Sequence, residues 1–61
     1  MNPLKFKAWM AENRISQKEL MELLDLSMTS INKKVNGKED FTLPQIRIIC
    51  EKYNISSEIF L

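Results

Sequence analysis

One arrangement of apolar and polar residues occurs four times along the chain: an apolar residue, then Ser or Thr, then a second apolar residue four positions after the hydroxyl. The hydroxyl residues are Ser16, Ser27, Thr42 and Ser56. Such a hydroxyl accepts a hydrogen bond from a free amide of a first helical turn, and the two apolar side chains pack across it. Each occurrence therefore predicts the start of a helix.

Two of these starts carry a further signal. Three positions after the hydroxyl, Ser16 is followed by Glu19 and Thr42 by Gln45. A Glu or Gln there can bond back to the amide of the hydroxyl residue, which completes a capping box. We therefore expect one helix to begin at about Gln17 and another just after Thr42.

The opening segment from Pro3 to Asn13 is amphipathic. On a helix, Phe6, Trp9 and Met10 share one face, to which Leu4 can be added. With the four helix starts, this segment predicts an all-α fold, a compact bundle of four to five short helices.

The connections between the predicted helices are short. They contain Asp25, the only glycine at Gly37, and Asn54. Gly and Asn often adopt the left-handed conformation that ends a helix, and Asp tolerates it. Residues 17–36 are thus two short helices joined by a tight turn, a helix-turn-helix that can present its second helix to a DNA major groove. A generic helical bundle is the alternative that this spacing leaves open.

Composition narrows the function classes. A chain of 61 residues with 44% hydrophobic and 28% charged residues predicts one globular domain, 1–61, too small for a two-walled substrate cleft. We therefore expect a binding protein rather than an enzyme, and interpret Glu19 and Glu22 as solvated surface. With neither a long apolar run nor a signal-peptide pattern, the chain is expected to be cytoplasmic.

Cysteine and histidine content bears on metals and cofactors. The single cysteine, Cys50, has no internal disulfide partner, and the chain has no histidine. We expect neither a metal nor a cofactor, and interpret Cys50 as a core residue because its neighbours are apolar. Trp9 and Tyr53 are isolated aromatic residues, so packing is favoured over base stacking.

A resemblance to a known family rests on residues 15–56, which read ISQKELMELLDLSMTSINKKVNGKEDFTLPQIRIICEKYNIS. This string resembles the phage Cro/repressor family of helix-turn-helix regulators, in particular short regulators of Gram-positive phages and prophages. The resemblance implies a lambda-repressor-like fold of five short helices and sequence-specific binding to double-stranded operator DNA. Met21 and Asp25 depart from the family, which often has Ala and Gly there, so we expect a slightly adjusted angle between the two helices.

The third helix supplies candidates for reading bases. Ile31 and Val35 lie one turn apart and define its buried face. Polar or flexible side chains that suit base edges occupy the remaining surface, although such a surface can also be merely solvated. The candidates for base readout are Met28, Thr29, Asn32 and Lys33.

Contacts to DNA phosphates are expected at two helix starts and in the turn after the third helix. Helix N-termini bind phosphates readily, and the family resemblance points to Gln17 and Thr42. The full set is Gln17, Lys34, Asn36, Gly37, Lys38 and Thr42. Because the net charge is only +1, we expect affinity to depend on a few placed contacts.

The C-terminal segment is expected to form a homodimer interface made by Ile55, Ile59, Phe60 and Leu61. Folding of this segment back onto its own domain is the alternative. A palindromic operator would follow from a dimer. The main rival function is a protein-interaction module, such as an antirepressor or an antitoxin component, built on the same fold.

Overall fold

The computed structural model describes all 61 residues, Met1 to Leu61. The helices are α1 (Pro3–Glu12), α2 (Gln17–Leu24), α3 (Met28–Val35) and α4 (Leu43–Tyr53), followed by a 3₁₀ helix at Ser57–Phe60. The chain has no strand, so the all-α prediction is confirmed. None of the helices has both the length and the apolar character needed to cross a bilayer.

The predicted helix starts are found where the hydroxyl residues stand. The hydroxyls of all four accept a hydrogen bond from an amide of the following turn; they are Ser16, Ser27, Thr42 and Ser56. Thr42 and Gln45 form the complete capping box, with bonds in both directions. The start of α1 is capped by Asn2, which the sequence patterns did not predict.

The capping box predicted at the start of α2 is only half formed. Ser16 accepts a bond from the Glu19 amide, but the Glu19 carboxylate accepts its bond from the Tyr53 hydroxyl of α4. A half-buried tyrosine hydroxyl needs a partner, whereas the exposed Ser16 amide can bond to water. Glu19 is therefore not the purely solvated residue that the sequence suggested.

The helix ends largely follow the predicted left-handed residues. Asp25 and Asn54 have φ of 54° and 52°, and Gly37 has φ of 77°. At Gly37 an added Cβ would lie 3.0 Å from Pro3 Cγ, so the start of α1 approaches the turn after α3 closely. Arg14 is also left-handed, with φ of 55°, and nothing in the sequence indicated it.

Nine buried apolar residues form one core: Phe6, Met10, Ile15, Leu20, Ile31, Val35, Phe41, Ile49 and Phe60. Trp9 and Cys50 pack against this core without being fully buried. Leu4 does not share the buried face of α1, because it is 77% exposed.

The C-terminal segment folds back onto its own domain. Phe60 is buried, with its ring centroid 5.4 Å from that of Phe6 and 5.5 Å from that of Phe41. It is therefore not available to a second chain, which corrects the predicted dimer surface. Ile55 and Ile59 also pack against the core and keep only part of their surface exposed.

Candidate nucleic-acid interface

The helix-turn-helix places α3 with one face against the core. Asp25 adopts the left-handed conformation after α2, and its amide and that of Leu26 both donate to the Met21 carbonyl, which closes the turn. Ile31 and Val35 are buried, so they fix the rotation of α3. The opposite face of α3 is consequently directed to solvent.

The exposed face of α3 brings together all the residues predicted to read bases. They line a shallow depression whose remaining wall is Lys38: the lining residues are Met28, Thr29, Asn32, Lys33 and Lys38. Met28 is 43% exposed although it is a large apolar residue. The depression is therefore mainly polar, with one apolar side chain at the start of α3.

The side chains around this depression match the edges of base pairs. Lys33 can donate to O6 and N7 of guanine, and Asn32 can pair in a bidentate manner with adenine. The methyl groups of Thr29 and Met28 can contact the methyl group of thymine. All four residues are exposed and thus open to contact.

One carbonyl group accepts two of the hydrogen bonds that hold the turn after α3. The Lys33 carbonyl accepts hydrogen bonds from the amides of Lys38, at 2.8 Å, and Glu39, at 3.3 Å. This places the Glu39 carboxylate 3.8 Å from Lys33 Nζ, an ion pair that is about half exposed. Residues 28–38 contain no acidic residue, and the turn geometry brings Glu39 from just beyond them to Lys33, a pairing that the sequence analysis did not predict.

The other predicted phosphate contacts lie at helix ends. Gln17 is the first residue of α2 and is half-buried, while Thr42 caps α4 and is exposed. The Asn36 side chain donates to the Asn32 carbonyl at the end of α3, at 2.8 Å, and the second hydrogen of the same NH₂ group can still donate to a phosphate. Gly37 and Lys38 follow in the exposed turn.

Lys34 differs from the other predicted phosphate contacts. Its side chain is buried at 8% exposure, and its Nζ donates to the Asp40 carbonyl at 2.8 Å. The Nζ also lies 5.8 Å from the centroid of the Phe41 ring. A bond to DNA would require this arrangement to break, so Lys34 is removed from the interface.

Aromatic packing joins α1 to α4. Trp9 and Tyr53 pack edge to face, with ring centroids 5.3 Å apart, so neither ring is presented as a flat stacking platform. Burial, the hydrogen bond to Glu19 and the charge of that carboxylate together raise the pKa of Tyr53 well above its ordinary value.

A family model describing the Cro/C1-type helix-turn-helix DNA-binding domain matches residues 5–58. The chain belongs to this family. The matched range contains α2, α3 and α4 whole and most of α1, so it covers every element that positions the depression. Neither a curated protein nor a solved structure matches the chain.

The Cro/C1-type family is a family of helix-turn-helix DNA-binding domains, which are a non-enzymatic kind of protein. The departures of the chain from the expected family residues are accommodated locally. Met21 is partly buried against the core, and Asp25 takes the left-handed conformation for which glycine is common. Both residues thus fit the turn between α2 and α3.

Proposed function

We propose that the protein is a sequence-specific transcriptional regulator, a Cro-like repressor of a phage or prophage that binds operator DNA in the bacterial cytoplasm. The observation that carries this proposal is the depression on α3. Its lining contains two lysines, an asparagine, a threonine and a methionine, all unengaged in the core. A major groove admits one α-helix, and this face supplies the donors and methyl contacts that distinguish base pairs.

Phosphate contacts would flank this face. We assign them to the first turn of α2 with Gln17, to the turn containing Asn36, Gly37 and Lys38, and to the start of α4 with Thr42. Free amides at helix starts favour anions, and Lys38 supplies the nearby positive charge. These few contacts suit a chain whose net charge is only +1.

The regulator would bind as a homodimer. One recognition helix reads only a few base pairs, and two related helices about 34 Å apart read a palindrome. Because Phe60 is buried, we leave it out of the proposed dimer interface. The interface then consists of Leu61, which is 85% exposed, with the partly exposed Ile55 and Ile59. Leu61→Asp should lower the dimer fraction in sedimentation equilibrium, whereas Leu4→Asp should not; equal dimer fractions would refute this interface.

Selection from a random pool of duplexes tests the function directly. We expect the protein to enrich a palindromic sequence and to shift that duplex in gel electrophoresis, more weakly as salt rises. Thr29→Ala should alter the enriched sequence. If no duplex shifts even at low salt, the rival function is favoured, a protein-interaction module such as an antirepressor or antitoxin component.

A further inference from the structure

Lys34 is a buried lysine without a carboxylate partner. Its Nζ has one hydrogen-bond acceptor, the Asp40 carbonyl, and lies beside the Phe41 ring. At 8% exposure Lys34 is covered more fully than lysine usually is, and its bond to the Asp40 carbonyl is partly buried. This bond ties the Lys34 side chain to the segment that leads into α4.

The bond of Lys34 closes the far end of the turn after α3. At its near end, the Gly37 amide donates to the Lys34 carbonyl at 3.1 Å, and the Lys38 and Glu39 amides donate to the Lys33 carbonyl. Asp40 and Phe41 then lead into α4. Lys34 is the only side chain whose hydrogen bond reaches the backbone at this far end.

Lys38 belongs to the near end of this turn, two residues before Asp40 at the far end. It is exposed and forms a wall of the α3 depression. A long lysine side chain gains phosphate affinity only if its backbone is held near the DNA, because ordering a mobile turn on binding costs conformational entropy.

We infer that Lys34 is a positioning residue for DNA binding: it fixes the turn of residues 36–40 so that Lys38 meets the DNA backbone, and it makes no DNA contact itself. This inference rests on the proposed function. It replaces the direct phosphate contact that the sequence suggested for Lys34 with an indirect role through Lys38.

Amide hydrogen exchange, measured without DNA, tests the first half of this inference. Lys34→Met keeps the length of the side chain but loses the donor, and it should speed exchange at the Lys38 and Glu39 amides at least about tenfold. Lys34→Arg keeps a donor and should stay close to wild type. Lys52→Met, at an exposed site of α4, is the control for loss of charge.

Uniformly faster exchange in all helices, or no change in the turn, would overturn the positioning role. Should Lys34→Met fail to fold, Lys34→Gln serves instead, because its polar end is one bond too short to reach the Asp40 carbonyl. For Lys34→Gln too, uniformly faster exchange in all helices or no change in the turn would overturn the positioning role.

DNA binding tests the second half, with a random-sequence duplex of about 20 base pairs as the probe. Lys34→Met and Lys38→Ala should each weaken binding several-fold and each lower the salt slope by about one unit. The double variant should show the same slope as Lys38→Ala alone. Lys52→Met should change little.

If the reductions in salt slope caused by the two single variants added up in the double variant, Lys34 would itself contact a phosphate. If the salt slope of Lys34→Met equalled that of the wild type, Lys34 would not act through Lys38. Either result overturns the inference while the proposed function stands. Absence of binding by the wild type at low salt would instead refute the proposed function, whatever the exchange data show.

Discussion

The part of the core beneath α2 and α3 is aliphatic, whereas the part beneath α1 and the 3₁₀ helix is aromatic. Leu20, Ile31 and Val35 fill the aliphatic part. In the aromatic part the Phe6 ring lies 5.2 Å from Phe41 and 5.4 Å from Phe60. The two parts have different structural roles. The branched aliphatic side chains let α2 and α3 approach each other, and the large rings bring together segments that are distant in sequence.

Both parts of the core stabilise the fold, and recognition depends on the exposed face of α3. The aliphatic part and its tight turn fix how α3 faces solvent, and the exposed α3 residues contribute little to the core. The aromatic part connects α1 with the segment before α4 and with the C-terminal turn, so its loss would release several elements together. Substitutions in the aromatic part should therefore unfold the domain, and those on the outer face of α3 should alter binding alone.

The largest effect is expected for Phe6→Ala. Phe6 is fully buried and touches three other rings, so its removal should cost about 3–5 kcal/mol of the free energy of unfolding. In a domain this small, the variant should be largely unfolded in circular dichroism at room temperature. Leu4→Ala on the same helix is the control; a Phe6→Ala melt equal to it would contradict the aromatic core.

A somewhat smaller effect is expected for Ile31→Ala in the aliphatic part. Its loss should cost about 2–5 kcal/mol, because it leaves a cavity between α3 and α2. The measurement is a urea unfolding curve, compared with Ile48→Ala at a partly exposed site of α4. If Ile31→Ala unfolded at the wild-type urea concentration, α3 would be rotated relative to the structure.

Substitutions on the outer face of α3 should change DNA binding without lowering the stability of the domain. Lys33→Ala should lose about 1–3 kcal/mol of discrimination between the selected duplex and a random one. Lys38→Ala should instead weaken binding to both duplexes alike and lower the salt slope by about one unit. Fluorescence anisotropy titrations of each variant with both duplexes would measure these affinities. If Lys38→Ala changed the preferred sequence and Lys33→Ala did not, the roles of the two lysines would be reversed.

The same comparison explains what the sequence could predict. Helix starts and left-handed helix ends depend on residues within a few positions of one another. Thr42 with Gln45 was therefore sufficient to predict the start of α4, and Asn54 was sufficient to predict its end. The rotation of α3 followed from Ile31 and Val35 for the same reason. The family resemblance added the expectation that this helix-turn-helix binds DNA.

The errors of the sequence analysis involve contacts between distant positions or a choice between two environments. Glu19 bonds to Tyr53, 34 positions away, instead of closing its own capping box. Phe60 could have met either its own core or a second chain, and composition does not decide between them. Lys34 lies one turn from Ile31 at the flank of the buried face of α3, and it is the following turn that supplies the Asp40 carbonyl to which it bonds, whereas Lys33 lies on the outer face.

The smallest effect is expected at the bond that joins α2 to α4 across the aromatic side. Tyr53→Phe removes only the hydroxyl that donates to Glu19 and should cost about 1 kcal/mol. The pKa of Tyr53 is raised in the folded state, so above pH 10 the unfolded chain ionises first. The stability from this group is therefore complete below about pH 10 and is lost as the pH rises further.

Urea unfolding between about pH 8 and 11 should consequently show a steeper loss of stability in wild type than in Tyr53→Phe. Tyr53 is the only tyrosine, so its ultraviolet absorbance reports this ionisation alone. Glu19→Gln removes the carboxylate charge and should lower the midpoint of that titration, whereas Glu22→Gln, at an exposed site of α2, should leave it in place. An unchanged midpoint in Glu19→Gln would mean that burial alone raises the pKa of Tyr53, and that neither the bond to Glu19 nor its charge contributes to the shift.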